Sequence, residues 1–178
     1  MDELHPPVAD GATVAIAERH EPLVALVGPP NSGKTTLFNQ LTGLRQKVAN
    51  YPGVTVEKHV GQVRIDTNRE IDLVDLPGVH GFSARTLDER VTRDVLEGKV
   101  EGIRPPDALV LIVDSTRLEN QLMLVEPVLE LGLPTLLVLN MCDELSERGG
   151  SVNDEALAEL LGVDIVRTSA RSGEGVDG

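Results

Sequence analysis

Five short apolar runs set the strongest limit on what this chain can fold into. They are Leu23–Val27, Ile71–Asp75, Ala108–Asp114, Thr135–Asn140 and a weaker one at Asp164–Arg167. Each is strand-sized and apolar at nearly every position, the pattern of strands covered on both faces of a parallel sheet. Glu57–Asp66 differs: Val60, Val63 and Ile65 stand among polar residues, which predicts a more exposed edge strand. Helical segments fall between the runs, at Lys34–Leu41, Thr86–Val100, Leu118–Leu131 and Asn153–Leu161. The second places Leu87, Val91, Val95 and Leu96 on one stripe. The third contains Pro127, which is expected to kink or split it. The last opens on a capping residue and closes at Gly162. Alternating strands and helices predict an α/β fold: a mostly parallel sheet with one antiparallel edge strand and helices on both faces.

Composition narrows the class. A chain of 178 residues fits one domain. Residues 1–21 are polar and Pro/Ala-rich and read as an arm, with a short ordered piece expected at Thr13–Ala17; residues 22–178 form the domain. The net charge is −13, which disfavours a general nucleic-acid binder. The single cysteine, Cys142, excludes a disulfide scaffold and a cysteine-based zinc site and fits a reducing compartment. No apolar run reaches the ~18 residues of a membrane span. The N-terminus has no basic segment followed by an apolar one, so the chain reads as a soluble piece without a secretory signal.

Four motifs carry chemistry, and each ends a predicted strand. Gly28-Pro29-Pro30-Asn31-Ser32-Gly33-Lys34-Thr35 matches G-x-x-x-x-G-K-[ST]. Its glycines let backbone N–H groups of the loop, Ser32 and Gly33 among them, wrap phosphates, and the next helix, with Thr36 in its first turn, offers its N-terminus to an anion. Lys34 is expected at the β- and γ-phosphates, and the Thr35 hydroxyl on Mg²⁺. Asp75-Leu76-Pro77-Gly78 places a carboxylate within reach of Mg²⁺ through water, and a glycine N–H that can meet a γ-phosphate. Asn140-Met141-Cys142-Asp143 offers a carboxylate that accepts from both N1–H and N2–H₂ of guanine, a pair of donors adenine lacks. Ser169-Ala170 can present a backbone N–H to guanine O6. Ligands of such sheets bind at the carboxyl ends of the strands, where all four motifs lie. Together, and in this order, they predict a P-loop GTPase.

The chain also resembles the cytosolic GTPase domain of the FeoB family of bacterial ferrous-iron transporters. The resemblance lies in GPPNSGKTTLFNQLTG (28–43), ANYPGVTVE (49–57), DLPG (75–78), VDSTRLENQLML (113–124), LNMCDE (139–144) and TSARSGEG (168–175). It implies GTP and GDP as ligands with Mg²⁺, and Thr55 as the switch threonine that closes on Mg²⁺ and the γ-phosphate. It implies potassium beside the phosphates, held through Asn31, with a plain bracing of the loop by Asn31 as the equal alternative. It also implies that a helical domain and a transmembrane domain follow, at the cytoplasmic face of the bacterial inner membrane, and that nucleotide state is coupled there to Fe(II) uptake. Self-association of the domain is compatible with this.

The sequence departs from the family at Pro29, where asparagine is common, and at Val79-His80-Gly81-Phe82. Valine after D-x-x-G cannot orient water as a glutamine would, which leaves backbone groups around Thr55 and Gly78 to do so. His80 is a lone loop histidine, and an exposed position is the default expectation. The residues alone leave three functions open: the GTPase of an iron transporter, a stand-alone GTPase of ribosome assembly or tRNA modification, and a nucleotide sensor with negligible turnover.

Overall fold

The structure is a computed structural model that describes residues 21–43 and 46–176. The ordered piece expected at Thr13–Ala17 lies outside the described residues. Seven strands form one sheet: β1 (Leu23–Val27), β2 (Gln46–Asn50), β3 (Glu57–Arg64), β4 (Glu70–Asp75), β5 (Ala108–Asp114), β6 (Thr135–Asn140) and β7 (Asp164–Arg167). Their order is β2-β3-β4-β1-β5-β6-β7. β4, β1, β5, β6 and β7 are parallel, and β3 runs antiparallel to both of its neighbours.

The apolar runs resolve into two alternating faces. Ala25, Val27, Val74, Leu109, Leu111, Val113, Leu137 and Leu139 point to one side. There they pack with α2 (Leu87–Leu96), α3 (Leu118–Leu129) and α5 (Asp154–Leu161). Leu26, Leu73, Ile112 and Val138 point to the other side, under Leu37 and Phe38 of α1 (Lys34–Thr42). In the central runs β1, β5 and β6 the apolar residues alternate between one layer and the other, so no polar position interrupts them between their ends.

Four local features differ from the sequence expectation. β2 lies outside β3, so the antiparallel strand is second from the edge; β2 forms by pairing alone, and all five of its residues are exposed. Pro127 does not split α3, which runs through it and ends two residues later, where few i→i−4 bonds remain to be lost. Leu87 is 39% exposed and stands off the buried stripe of α2, which is built instead on Val91, Val95 and Leu96 with Thr92 and Glu89. A short helix, α4 (Cys142–Glu147), follows β6 and buries no residue.

Candidate nucleotide site

The loop after β1 turns sharply because its backbone is left-handed twice, at Asn31 (φ 63°) and Gly33 (φ 85°). Ser32 is fully buried between them, and its N–H and hydroxyl both donate to Pro29 O, at 3.3 and 2.9 Å. At Gly33 a side chain is forbidden twice over, since a Cβ there would stand 2.0 Å from Asn140 Nδ2. At Gly28 a Cβ would lie 2.4 Å from Ile112 O, so the loop and β5 touch backbone to backbone. α1 begins directly at Lys34 with no side-chain cap, whereas α2 and α5 are capped by Thr86 and Asn153. The first N–H groups of α1 are thus left to an anionic ligand.

Lys34, Thr35 and Asp75 converge. Lys34 and Asp75 are both buried and form an ion pair, Nζ to Oδ1. Thr35 Oγ1 donates to Asp75 Oδ2 at 3.2 Å. The Asp75–Gly78 segment then runs along the loop: Leu76 N–H donates to Leu26 O and Val79 N–H to Gly28 O, each at 3.1 Å. Thr92 of α2 donates to Pro77 O at 3.2 Å, tying this segment to the helix that follows. The result is a cleft of about 410 Å³ whose lining includes Asn31, Gly33, Lys34, Thr35, Thr36 and Gly78. Asp88 also lines it and was not anticipated; its only signal in the sequence is an acid at the start of the helix after D-x-x-G.

Asn140 joins this cleft to its neighbour. It is 2% exposed, and its Nδ2 donates to Ser32 O at 2.9 Å. Its Oδ1 accepts from Thr168 Oγ1 at 3.1 Å and from Ala170 N–H at 2.9 Å. Asn140 is therefore a brace between the phosphate loop and the 168–175 turn, with its amide committed to protein groups. The N–H groups expected to face a base are also committed, Ala170 to Asn140 and Ser169 to Glu174 O at 2.9 Å. A contact from Ala170 to guanine O6 requires that bond to be shared or exchanged. Asp143 is exposed, and its carboxylate makes no hydrogen bond or ion pair with a described residue. Its own N–H donates to Ser169 Oγ at 3.2 Å. Met141 (φ 62°) turns the chain into α4 and lies beside Gly33. Asp143, Thr168, Ser169 and Glu174 line a second cavity of about 380 Å³.

Other residues fall outside this cluster. Thr55 is exposed and does not line the phosphate cleft. Val79 is 1% exposed and packs in the core under α2, so its side chain faces away from the cleft. His80 is exposed. Cys142 donates Sγ–H to Leu139 O at 3.1 Å, and burial pushes its thiol up, away from the thiolate form. Glu89 accepts from Arg85 N–H at 2.9 Å and Ser83 Oγ at 3.2 Å, and these bonds, Arg85 first, hold its carboxyl below the usual range. Among the described residues, no group of three or more His, Cys, Asp or Glu could hold a metal ion, and no helix is long and apolar enough to cross a membrane.

A parallel sheet whose strand ends carry a left-handed glycine loop, an uncapped helix N-terminus and a Lys–Asp–Thr cluster defines a P-loop nucleotide-binding domain of the GTPase fold. The family described as FeoB_N, Ferrous iron transport protein B, matches residues 23–178. The Fe(2+) transporter FeoB of Leptospira biflexa serovar Patoc is 40% identical over 153 residues, 86% of this chain and 21% of that protein. The cytosolic domain of T. maritima FeoB in a GDP form superposes with a TM-score of 0.82 at 39% identity, covering 89% of this chain and 60% of that one. An S. thermophilus NFeoB mutant bound to mGDP superposes at 0.79 with 40% identity, over 89% of this chain and 58% of that one. The chain belongs to the FeoB_N family and spans about a fifth of the length of the curated relatives it matches.

Proposed function

We propose that the domain binds GTP and GDP and hydrolyses GTP by in-line attack of water on the γ-phosphorus. The bond from that phosphorus to the β-γ bridging oxygen breaks, giving GDP, phosphate and a proton. The observation that carries this reading is the joint placement of two clefts. Lys34, Thr35 and Asp75 meet at one, Asp143 stands at the other, and Asn140 pins the two loops together. Lys34 is assigned to the β- and γ-phosphates, exchanging its Asp75 partner for them. Asp143, whose carboxylate is uncommitted among the described residues, is assigned to guanine N1–H and N2–H₂. The relatives crystallised with GDP and mGDP support the same ligand class.

The Thr35 hydroxyl donates to the Asp75 carboxylate at 3.2 Å, so two hard oxygen donors of the kind Mg²⁺ takes stand together at this point. Thr35 would hold that ion directly and Asp75 through water, with Thr55 joining once its loop closes. Bound Mg²⁺ supplies neutralisation of charge across the β- and γ-phosphates. Asn31 is exposed on the loop and its side chain makes no hydrogen bond with a described residue, so its carbonyl is available to potassium. Because Val79 is buried, water is oriented by backbone groups of Gly78 and the Thr55 loop. That same burial favours a second reading, a nucleotide switch with slow turnover. Single-turnover phosphate release, in potassium and in sodium, separates the two.

In the full-length protein the domain is placed at the cytoplasmic face of the inner membrane. It would pass nucleotide state to following helical and transmembrane domains and so to Fe(II) uptake. The identity to Fe(2+) transporters supports that context. Nucleic acid is not among the partners proposed, given the charge of −13. Self-association is compatible with the fold. Iron uptake into cells expressing full-length protein with and without Lys34→Ala tests the coupling.

A further inference from the structure

Tyr51 is the one residue of the 46–56 segment that is deeply buried. Gln46–Asn50 and Thr55 are exposed, while Tyr51 is 2% exposed and packs in the main core under α2. The turn that seats it is Tyr51-Pro52-Gly53-Val54, closed by Val54 N–H to Tyr51 O at 3.3 Å, with Gly53 at φ 75°. Tyr51 N–H donates to Val56 O at 2.9 Å, so Thr55 is held inside a backbone loop with Tyr51 at its foot. The seat suits an aromatic ring but not a phenol. Tyr51 Oη is buried and has no hydrogen-bond partner among the described residues. The ring also borders a cavity of about 210 Å³ shared with Lys58, Val60, Asp72, Val74 and Val95. A buried hydroxyl without a partner and a ring without full packing both weaken the seated state.

We propose that Tyr51 is the latch of this segment: seated under α2 it keeps Thr55 off the phosphate cleft, and GTP closure withdraws it. The hydroxyl lowers the free-energy cost of release, because it regains partners only when the ring leaves the core. The proposal rests on the nucleotide reading above and adds to it the element whose two positions report the γ-phosphate. GDP, which lacks that phosphate, leaves the latch seated.

The chain has one tyrosine and no tryptophan, so a tyrosine probe reports this position alone. Protein labelled with 3-fluorotyrosine gives a single ¹⁹F resonance whose H₂O/D₂O shift reads exposure. Equilibrium dialysis on the same samples reads nucleotide occupancy. The expected result is a shielded resonance without nucleotide and with Mg²⁺–GDP, and an exposed one with Mg²⁺ and a non-hydrolysable GTP analogue. A resonance still shielded at full analogue occupancy would overturn the latch and leave the nucleotide site standing. Retention of neither nucleotide would overturn both. Tyr51→Phe should raise the melting temperature and weaken analogue binding by at least roughly fivefold, the low end of the range for one unsatisfied hydroxyl, with GDP binding unchanged. Equal weakening for both nucleotides, or a lower melting temperature, would contradict the proposal.

Discussion

The phosphate loop and the 46–56 segment lie at the same end of the sheet and are built in opposite ways. In the loop, Ser32 and Lys34 are buried, and Asn140 and Asp75 hold it from two other strands. In the 46–56 segment, β2 buries nothing, Tyr51 alone is deeply buried, and Val54 and Val56 pack only partly against the core. In the proposed reading the loop meets mainly the phosphates that GTP and GDP share, with Lys34 reaching on to the third, so rigidity there loses little. The segment carries the threonine assigned to the phosphate that distinguishes them, and the proposed latch requires two positions of similar energy there. Burial and side-chain bracing are concentrated in the phosphate loop and sparse in the 46–56 segment.

Gly33→Ala should break the braced side most severely. The new Cβ collides with Asn140 and the left-handed backbone strains, so we expect roughly 2–4 kcal/mol of lost stability and no measurable guanine nucleotide binding. Chemical denaturation and dialysis check this, and a stable, binding-competent variant would mean the brace is soft. Lys34→Ala should weaken nucleotide binding about 10- to 100-fold and abolish phosphate release, the effect of removing one charge-assisted hydrogen bond from the phosphates. Asp143→Asn leaves the loop intact and changes only the base it accepts. Xanthine, which has a carbonyl at position 2, should then outcompete guanine, and competition binding with the two nucleotides reads the change directly.

Val79→Ala sharpens the comparison by separating fold from chemistry. The side chain is buried, so truncation should cost roughly 1–3 kcal/mol of stability. Phosphate release should stay within about tenfold of wild type, since no hydrogen bond to the transition state is removed. The smallest effect on the fold belongs to Thr55→Ala. The residue is exposed, so thermal unfolding should move by no more than about 0.5 kcal/mol, while phosphate release falls. A large loss of stability there would show that the segment is not loosely held.

What could be read from the sequence follows what was buried on both sides. Leu23–Val27, Ala108–Asp114 and Thr135–Asn140 are uninterrupted because each residue meets one helical layer or the other, and their ends carry the motifs. Gln46–Asn50 and Cys142–Glu147 left no trace, since neither buries a residue and periodicity records only burial. The role of Asn140 was hidden for another reason. Its partners Ser32 and Ala170 lie 108 and 30 residues away, and nothing local distinguishes a brace from a base reader. Tyr51 stood inside the resembling NYPG block, but its burial depends on a turn that folds it beneath α2.

The most direct test of the account is phosphate release from GTP and from ATP by the purified domain with Mg²⁺, in potassium buffer, for wild type and Lys34→Ala. The account predicts turnover of GTP by the wild type, little from ATP, and none from either nucleotide in the variant. Equal turnover of the two nucleotides, or wild-type turnover in Lys34→Ala, would contradict it.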